Sequence, residues 1–500
     1  MPFIMLVRQS QNTFVRFFDE ESVYVTNQLT RYDRTYNDIG ADFFREISRI
    51  PKDVDQIILN LSSLYGSTVS YNKLKSDFMA FLNDLVRNKF LVVGETVEDL
   101  EASDMTFSYS LDNPKTIGET FNQVLDSEIG ENTQDQMLEA TSRKPHLNSL
   151  QFELTSRCNE RCIHCYIPNT KKNNGADMSL NLVKRIIDEF SEMGGLQITL
   201  SGGEVFLHKD ILPIISYCRQ KDMCISILSN LIALKESHIP ILKSANISLI
   251  QTSVYSMDPN VHDMITTIKG SHAKTIKSIE RLVQADIPVQ IACPTMKANA
   301  NGYVDVLKYA HSLKCKSQTD FIMMAQSDFC TNNLTNRLSL DETEVLIRDI
   351  IEHDIDYREE TLNLKPLSEE NAIDIERYKK LPLCGAGIND CCITANGDVY
   401  PCAGWQAMVC GNIHSQSLKD IWEHSPQFKL VRSVTHGDFP QCVNCEAKNY
   451  CSMCLVRNYN ESNGDMFKVN KHFCDVAFLN KRLVEEYQEK LNKKACNGNI

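Results

Sequence analysis

In the run Thr155-Ser156-Arg157-Cys158-Asn159-Glu160-Arg161-Cys162-Ile163-His164-Cys165-Tyr166, three cysteines are spaced Cx3CxxC. Three thiolates are one ligand too few for a closed zinc site, which takes four protein ligands. A 4Fe-4S cluster held by three cysteines keeps one iron free to bind something else. Zinc is the alternative, but its fourth ligand would have to be found nearby, and His164 is confined to the short loop between two of the cysteines. The spacing therefore indicates an iron-sulfur cluster with an open iron.

A second motif follows about forty residues later. The apolar run Leu196–Leu200 predicts a strand, and Ser201-Gly202-Gly203-Glu204 comes directly after it. Glycines at a strand end allow the backbone to approach a ligand closely, although a Gly-Gly-Glu alone is usually a turn. A cysteine triad after one strand and Gly-Gly-Glu after the next together resemble the radical S-adenosylmethionine (SAM) superfamily.

The resemblance implies a cofactor and a chemistry. In that family the amino and carboxylate groups of SAM chelate the open iron, and the reduced cluster cleaves SAM to a 5'-deoxyadenosyl radical that abstracts hydrogen from the substrate. The protein positions these groups while the cofactor carries the difficult chemistry. By resemblance, Gly202, Gly203 and Glu204 line the methionine end of SAM, with Glu204 accepting from its amino group. Tyr166 is expected near the adenine.

Residues 148 to about 325 alternate strand and helix patterns, which predicts an α/β fold with a parallel sheet. Six strands connected by helices make a partial (β/α)6 barrel. The predicted strands are Leu150–Leu154, Leu196–Leu200, Cys224–Leu228, Ile247–Val254, Val289–Cys293 and Asp320–Met324.

Ligands bind at the carboxyl ends of the strands in such folds, and the remaining candidate residues lie there. Ser229 and Asn230 follow the third strand, and Ser253 ends the fourth. By resemblance all three contact SAM, with Ser253 reaching the ribose; a structural turn is the alternative for Ser253. The chain departs from the family where a glycine often follows this asparagine, because Leu231 occupies that position.

The first 94 residues predict short strands followed by three helices, the pattern of a winged helix. The last helix is of mixed charge, since Asp77 and Asp84 accompany its lysines and arginine, so the pattern does not favour DNA binding. Fused to a radical SAM core, this unit resembles the recognition element of enzymes that modify ribosomally made peptides. There, a leader peptide adds a strand to the sheet edge beside the third helix. A purely structural cap is the alternative. The predicted strands are Thr13–Phe18, Ser22–Val25 and Phe90–Val93, and the predicted helices are Asp38–Ile50, Val54–Tyr65 and Tyr71–Phe90.

From Glu95 through Glu139 the chain has twelve acidic residues and one basic residue, Lys115. Such a composition is typical of a linker that cannot bury enough apolar surface to order itself. We expect residues 95–147 to tether the N-terminal unit to the barrel.

A second group of cysteines begins at Cys384 and resembles the SPASM extension of radical SAM enzymes, which holds two auxiliary iron-sulfur clusters. The closest resemblance is to maturases of the sactipeptide or ranthipeptide type, in which a Cys-Gly-Ala-Gly like that at 384–387 begins the region. Mapped by resemblance, auxiliary cluster I takes Cys384, Cys402 and Cys454, and auxiliary cluster II takes Cys442, Cys445, Cys451 and Cys474.

Auxiliary cluster I is one ligand short in this mapping. Cys391 and Cys392 lie on a predicted strand, where neighbours face opposite sides, so one of them at most reaches the cluster. Either one of them completes the site or the site stays open to a substrate thiolate. Two structural zinc sites are the alternative for the whole region, because zinc is also held by four cysteines.

Composition is typical of a cytoplasmic enzyme. The 500 residues predict about three domains, and a net charge of −13 argues against nucleic acid as a partner. The opening apolar run at Pro2–Val7 is too short for a signal peptide or a membrane span. In a reducing compartment, nineteen cysteines indicate metal rather than disulfides.

These observations predict an enzyme that modifies a leader-bearing ribosomal peptide by joining a cysteine sulfur to a carbon of another residue. SAM and three 4Fe-4S clusters are the expected cofactors, and a flavodoxin or ferredoxin is the expected electron donor. Carbon–carbon crosslinking or epimerisation of a peptide is the alternative reaction, and a zinc-stabilised winged-helix binding protein is the alternative class. The expected divisions are 1–94 (recognition element), 95–147 (linker), 148–330 (radical SAM core), 331–383 (bridging region), 384–480 (SPASM) and 481–500 (C-terminal helix or tail).

Overall fold

The computed structural model describes residues 5–17, 22–28, 32–104, 144–168, 170–362 and 375–496. Most of the acidic stretch, residues 105–143, lies outside this range. Among the helices described, none combines the length and the apolar character that crossing a membrane requires.

The N-terminal unit contains two three-stranded sheets, with strand orders β5-β1-β6 and β2-β3-β4. The helix α3 begins at an N-cap, since the Ser70 side chain accepts from the backbone N–H of Lys73. Its apolar stripe, including Phe78 and Leu82, is buried against the other helices. The elements are β1 (Leu6–Gln9), β2 (Thr13–Phe17), β3 (Ser22–Asn27), β4 (Tyr32–Asn37), α1 (Ile39–Arg45), β5 (Lys52–Asp53), α2 (Val54–Tyr65), α3 (Tyr71–Arg87), β6 (Leu91–Gly94) and α4 (Val97–Ser103).

Three of these strands, β1, β4 and β5, are absent from the sequence prediction. The β4 sequence Tyr-Asp-Arg-Thr-Tyr-Asn contains three strongly polar residues, so it carries no apolar alternation to detect. The first helix is also shorter than predicted and ends at Arg45 rather than Ile50.

The start of the expected linker is folded. Thr96 and Asp99 form a capping box at the start of α4. After the helix, the Asp104 carboxylate accepts from Arg8 at 2.6 Å and from the Ser10 hydroxyl at 2.7 Å. Residues 95–104 therefore pack onto the N-terminal unit, and a tether begins after Asp104.

Six parallel strands form the barrel, in the order β12-β11-β10-β9-β8-β7. On β7, Leu150 and Phe152 point outward into a core shared with the helices, so Gln151 and Glu153 point inward. The elements are β7 (Ser149–Glu153), α5 (Leu180–Glu192), β8 (Gln197–Ser201), α6 (Ile211–Gln220), β9 (Cys224–Leu228), α7 (Ile239–Ser244), β10 (Leu249–Ser253), α8 (Pro259–Thr266), α9 (Ser271–Gln284), β11 (Val289–Pro294), α10 (Tyr303–Ser312) and β12 (Lys316–Asp320).

The sixth strand was placed wrongly from the sequence. It occupies Lys316–Asp320 rather than Asp320–Met324. It is the edge strand of the sheet and its side chains are polar, whereas the apolar run that follows is a loop. The apolar residues that follow Asp320 therefore belong to a loop and not to the strand.

The C-terminal region continues the barrel sheet. Its first strand, β13 (Asp390–Thr394), pairs in parallel with β7, so that Cys392 lies opposite Gln151 and Thr394 opposite Glu153. β14 (Asp398–Tyr400) and β15 (Gly411–Asn412) then add antiparallel. The remaining helices are α11 (Leu340–His353), α12 (Ile355–Leu362), α13 (Ile375–Lys380), α14 (Leu418–His424), α15 (Pro426–Ser433), α16 (Pro440–Val443), α17 (Leu455–Glu461) and α18 (Lys471–Cys496).

Arg16 on β2 joins the N-terminal unit to the barrel. Its guanidinium donates to the carbonyl oxygens of Gly195 at 2.8 Å, Lys221 at 3.1 Å and Asp222 at 2.8 Å. These acceptors lie at the amino ends of β8 and β9, so the N-terminal unit contacts the end of the barrel away from the cysteine triad.

Candidate functional site

The cysteine triad lies in the loop after β7, at the carboxyl end of the barrel. Backbone bonds from Arg161 to Thr266 and from Ile163 to Ile265 fix this loop against α8. The backbone N–H of Glu160 donates to Cys158 Sγ at 3.5 Å, and the Cys162 thiol donates to Glu160 at 3.3 Å.

The thiols of Cys158 and Cys165 lie close enough to Cys162 to raise its pKa. Burial raises the pKa of Cys158 to about 11, with Glu204 and Glu160 adding to the effect. Burial also raises the pKa of Cys162, and the charges of Glu160, Cys165 and Cys158 raise it further. Holding several thiolates together without positive charge is unfavourable, and bound iron would offset that cost. The donor set therefore fits a cluster.

No group of three or more Cys, His, Asp or Glu side chains within the described ranges is arranged around the position of one metal ion. A four-iron cluster places each thiolate on a different iron, so its ligands stand farther apart than those of a single zinc ion. His164 is buried in this loop. Its Nε2 faces the Tyr255 hydroxyl at 3.4 Å, and burial lowers its pKa to about 4.

Gly202 and Gly203 bring the end of β8 against the triad loop. The N–H of Gly203 donates to the Thr155 carbonyl, and the N–H of Glu204 donates to the Arg157 carbonyl, both at 2.7 Å. A Cβ on Gly203 would lie 2.3 Å from the Arg157 oxygen, closer than any carbon can come. The second glycine is therefore required by backbone packing around the cluster loop.

Glu204 connects the ends of two strands. Its carboxylate accepts from the N–H of Phe206 at 3.0 Å, from the Ser229 hydroxyl at 2.7 Å and from the N–H of Asn230 at 2.8 Å. Burial raises the pKa of Glu204, while these bonds oppose the rise. A carboxylate has about four acceptor positions, so capacity remains for one more donor.

Asn230 joins this network to the triad loop, because its Nδ2 donates to Asn159 Oδ1 at 2.7 Å. Leu231, the residue where the family often has glycine, adopts a positive φ of 64° while its side chain is buried in the barrel core. Ser253 lies at the carboxyl end of β10, on the inward face. Asn230 and Ser253 therefore lie at the carboxyl ends of barrel strands.

Tyr166 has a partner that the sequence did not suggest. Its hydroxyl donates to Glu153 at 3.2 Å, and Gln406 Nε2 contacts both oxygens of the same carboxylate at 3.0 and 2.9 Å. Burial raises the pKa of Glu153 to about 7. Since Gln406 belongs to the C-terminal region, this carboxylate connects the barrel to it.

Two cavities adjoin these residues. The triad cavity has a volume of about 420 Å³ and is lined by residues including Cys162 and Cys165. The hairpin cavity, of about 260 Å³, lies between the barrel and the β13–β14 hairpin, and its lining includes Glu153 and Gly203. Both cavities are lined by Ile167 and Lys172, so they are adjacent.

The C-terminal cysteines lie in two groups. Burial raises the pKa of Cys402 to about 12, with the charges of Asp390, Cys454 and Cys384 adding to the effect. Burial likewise raises the pKa of Cys442 to about 11, and its charged neighbours are Cys474, Cys451 and Cys445. Backbone N–H groups of Ala386, Gly404 and Met453 point at the sulfurs of Cys384, Cys402 and Cys451.

Cys391 and Cys392 are neighbours on β13, so their side chains point to opposite faces of the sheet. Cys391 is buried in the outer core beside Cys410 and Arg432, so it does not face the other thiols. Cys392 faces inward, where Glu153 and Cys402 are its charged neighbours. Cys391 is thereby removed from the candidates for the missing ligand.

Comparisons with known proteins agree with this geometry. Residues 152–310 match the radical SAM superfamily, and residues 384–446 match the SPASM iron-sulfur cluster-binding domain. The antilisterial bacteriocin subtilosin biosynthesis protein AlbA of Bacillus subtilis is 27% identical over 62% of this chain and 68% of its own length. An AdoMet-dependent heme synthase of Methanosarcina barkeri is 24% identical over 64% of this chain and 94% of its own length.

Among solved structures, Streptococcus suis SuiB bound to the precursor peptide SuiA superposes with a TM-score of 0.61. The match covers 90% of this chain and 96% of that chain at 16% identity, which shows a shared fold. The cysteine triad, the glycine-lined strand end and the two C-terminal cysteine sets all lie within this common architecture. Residues 152–310 are therefore a radical SAM domain, and residues 384–446 are a SPASM iron-sulfur cluster-binding domain.

Proposed function

We propose that this enzyme modifies a leader-bearing ribosomal peptide by forming a thioether between a cysteine sulfur and a carbon of another residue. The adjacency of the two cavities carries the proposal. A peptide in the hairpin cavity lies between the triad loop and the β13–β14 hairpin, and the hairpin is flanked by Cys384, Cys402 and Cys454. Reacting groups would thus have a cluster on each side.

Cys158, Cys162 and Cys165 would hold the SAM cluster, with Tyr166, Gly202, Gly203, Glu204, Ser229, Asn230 and Ser253 around the SAM molecule. When bound and reduced, the cluster and SAM supply a 5'-deoxyadenosyl radical that abstracts hydrogen. The chain's own contribution is to hold the carboxyl ends of β8 and β9 together through Glu204 and to shape the cavity that excludes water.

The SPASM cysteines would hold two further clusters, making three 4Fe-4S clusters in all. Auxiliary cluster II would use Cys442, Cys445, Cys451 and Cys474. Auxiliary cluster I would use Cys384, Cys402 and Cys454. An external one-electron donor such as a flavodoxin or ferredoxin would provide the reducing electron.

The proposed reaction balances with SAM as the oxidant, since each thioether formed would consume one SAM and give methionine and 5'-deoxyadenosine. The acceptor carbon would lose a hydrogen atom to the deoxyadenosyl group, the cysteine thiol would give up its proton, and the electron left after the carbon–sulfur bond forms would replace the electron used to cleave SAM. Glu153 is placed to take that proton, because it lines the hairpin cavity and has a pKa of about 7. Gln406 and the Tyr166 hydroxyl hold its carboxylate in position.

The N-terminal unit would bind the leader. β4 is the last strand of the β2-β3-β4 sheet, and α3 packs beside it through Tyr36 and Phe81, whose rings are 5.1 Å apart. An added strand would lie in the groove between β4 and α3. The similarity in fold to SuiB, which binds the precursor peptide SuiA, supports a peptide as the partner.

The winged-helix surface does not favour DNA as the ligand. Along α2 and α3, Lys73 pairs with Asp77 at 2.7 Å, Lys75 with Asp55 at 2.9 Å, and Arg87 with Asp84 at 2.7 Å. Cations already paired with carboxylates add little attraction for phosphate.

One experiment tests the function. The anaerobically reconstituted enzyme is expected to carry about twelve irons per chain and to cleave SAM under dithionite. It is then incubated with the product of a small cysteine-rich reading frame adjacent to its gene. A thioether removes a pair of hydrogens from the peptide and makes the joined cysteine resistant to iodoacetamide.

The mass change and the alkylation pattern of the peptide distinguish the candidate reactions. Loss of a pair of hydrogens with the cysteines still open to alkylation would indicate a carbon–carbon crosslink, and no change in mass with altered stereochemistry would indicate epimerisation. Zinc in place of iron, without SAM cleavage, would contradict the proposal entirely.

A further inference from the structure

Auxiliary cluster I has three thiolate ligands in the proposed assignment, and the missing ligand has to come from what surrounds Cys384, Cys402 and Cys454. Cys391 points away into the outer core. The inward face of β13 presents Asp390, Cys392 and Thr394, since alternate residues of a strand share a face. Asp390 and Cys392 are therefore the candidates for the missing ligand.

The loop from Cys384 folds back so that Asp390 returns to its start. The N–H groups of Ile388 and Asn389 donate to the Gly385 carbonyl at 2.9 and 3.0 Å, and the N–H of Gly387 donates to the Asp390 carbonyl at 3.0 Å. A Cβ on Gly385 would lie 2.8 Å from Asp390 Oδ2. The Asp390 carboxylate thus lies against the residue that directly follows Cys384.

Asp390 and Cys392 differ in their position along β13. Cys392 lies two residues farther from the Cys384 loop, where it pairs with Gln151 and approaches the level of Glu153. The position of Asp390 at the start of the strand is nearer to the Cys384 loop.

The Asp390 carboxylate also needs a partner. Across the described residues, no side-chain hydrogen bond or ion pair to this carboxylate is formed, whereas Asp398 in the same hairpin accepts from Asn396 at 2.6 Å and from Asn412 at 2.8 Å. A half-buried charge beside other negative groups is unfavourable unless a cation compensates it. An iron atom with one open position would provide that compensation.

We propose that the Asp390 carboxylate is the fourth ligand of auxiliary cluster I, on the iron that Cys384, Cys402 and Cys454 leave open. The inference rests on the proposed assignment of those three cysteines and is independent of the reaction catalysed. The site then contains one oxygen donor and three sulfur donors.

The test uses full-length enzyme in which Cys158, Cys162 and Cys165 are replaced by alanine, so that only the auxiliary clusters remain. Asp390→Ala, Asp390→Cys and Cys392→Ala are made in this background, with Asp398→Asn as the matched loss of a carboxylate. Iron per chain and the electron paramagnetic resonance spectrum of the reduced protein are measured with and without cyanide, which binds an iron that lacks a protein ligand.

The parent protein is expected to hold about eight irons and to give a spectrum that cyanide does not change. Asp390→Ala should make one cluster signal cyanide-sensitive, or should lose about four irons that Asp390→Cys restores. Asp390→Cys should be insensitive to cyanide, and Asp398→Asn and Cys392→Ala should behave like the parent.

Three results would overturn the inference. These are an Asp390→Ala protein identical to the parent, cyanide sensitivity that arises in Cys392→Ala instead, and an iron loss that Asp390→Cys fails to restore. A parent protein that binds about four irons would show that the cysteine assignment itself is wrong. Neither peptide nor SAM is present in these samples, so failure here is distinct from failure of the proposed reaction.

Discussion

At the scale of single residues, Gly203 is the position where a methyl group has the most direct consequence. In Gly203→Ala, the new Cβ would meet the Arg157 backbone 2.3 Å away, and a backbone atom cannot move aside as a flexible side chain can. We expect the triad loop to shift, with loss of the SAM cluster, of about four irons and of SAM cleavage. Iron content and 5'-deoxyadenosine formation measure this.

Gly302→Ala is the matched control. A Cβ there would be no closer than 3.4 Å to its neighbours, so the substitution should leave iron content unchanged and stability within about 0.5 kcal/mol. A Gly203→Ala enzyme that retains full iron and SAM cleavage would show that the triad loop can move without loss of the cluster.

Glu153 should make stability and activity depend on pH. Its folded-state pKa of about 7 lies above the ordinary value of 4.5, so its contribution to stability is fully present below pH 4.5 and is lost as pH rises through 7. Between pH 6 and 8, wild type should lose on the order of 1 kcal/mol relative to Glu153→Gln. Thermal unfolding of both proteins across this range measures the difference.

Glu98→Gln, which replaces an exposed carboxylate, should show no such trend. With peptide substrate, Glu153→Gln should slow crosslinking by about 10²-fold while SAM cleavage continues, because the thiol proton lacks its acceptor. Equal pH profiles of stability in wild type and Glu153→Gln would place the titration elsewhere.

The sequence predicted the cysteines and the Gly-Gly-Glu motif because their chemistry is local. The residues of each motif lie close together in sequence, or they recur at a spacing that few other kinds of site have. Glu153, Gln406 and Asp390 gave no such signal. Glu153 meets Gln406 across 253 positions of sequence, and that contact exists only because β13 pairs with β7.

At the scale of elements, helices were easier to predict than strands. An amphipathic helix such as α3 repeats its apolar positions over several turns, whereas β4 and β12 are short, polar and at sheet edges. Edge strands face solvent on more than one side, so their sequences lack the alternation that marks a strand with one buried face.

The edge strand β4 carries a prediction about leader binding. If the leader adds a strand here, the amides of β4 should exchange hydrogen more slowly in its presence, because new backbone hydrogen bonds protect them. Hydrogen exchange followed by mass spectrometry, with a synthetic leader peptide at saturating concentration, measures this. β12, the edge of the barrel sheet, is the matched control and should be unaffected.

A leader that protects β12 and leaves β4 unchanged would move the peptide site to the barrel. If the leader binds but amide exchange slows in neither strand, side-chain contacts alone would hold the leader. Either result would contradict strand addition.

At the scale of the whole molecule, the proposal assigns leader binding to the N-terminal unit and chemistry to the barrel, and Arg16 contacts the barrel from the N-terminal unit. The three carbonyls that it contacts lie 179 to 206 residues away in sequence, so no local pattern could predict them. In Arg16→Ala these carbonyls lose a charged hydrogen-bond donor. A hydrogen bond to a charged group stabilises the folded protein by about 1.5 to 3 kcal/mol. We expect leader affinity to be retained while the rate of peptide crosslinking falls about tenfold or more.

The reason is geometric. The leader would be bound by a unit that is held less firmly against the barrel without being released, because the Arg49–Asp222 ion pair and the packing of Phe14 on Leu196 remain. The reactive residues would then reach the hairpin cavity less often. Fluorescence anisotropy of a labelled leader and the kcat/KM for the full precursor measure the two effects. Arg45→Ala, which breaks an exposed pair with Asp42, should change neither. If Arg16→Ala instead weakened leader binding and crosslinking equally, Arg16 would be acting within the leader site and the two functions would not be separable.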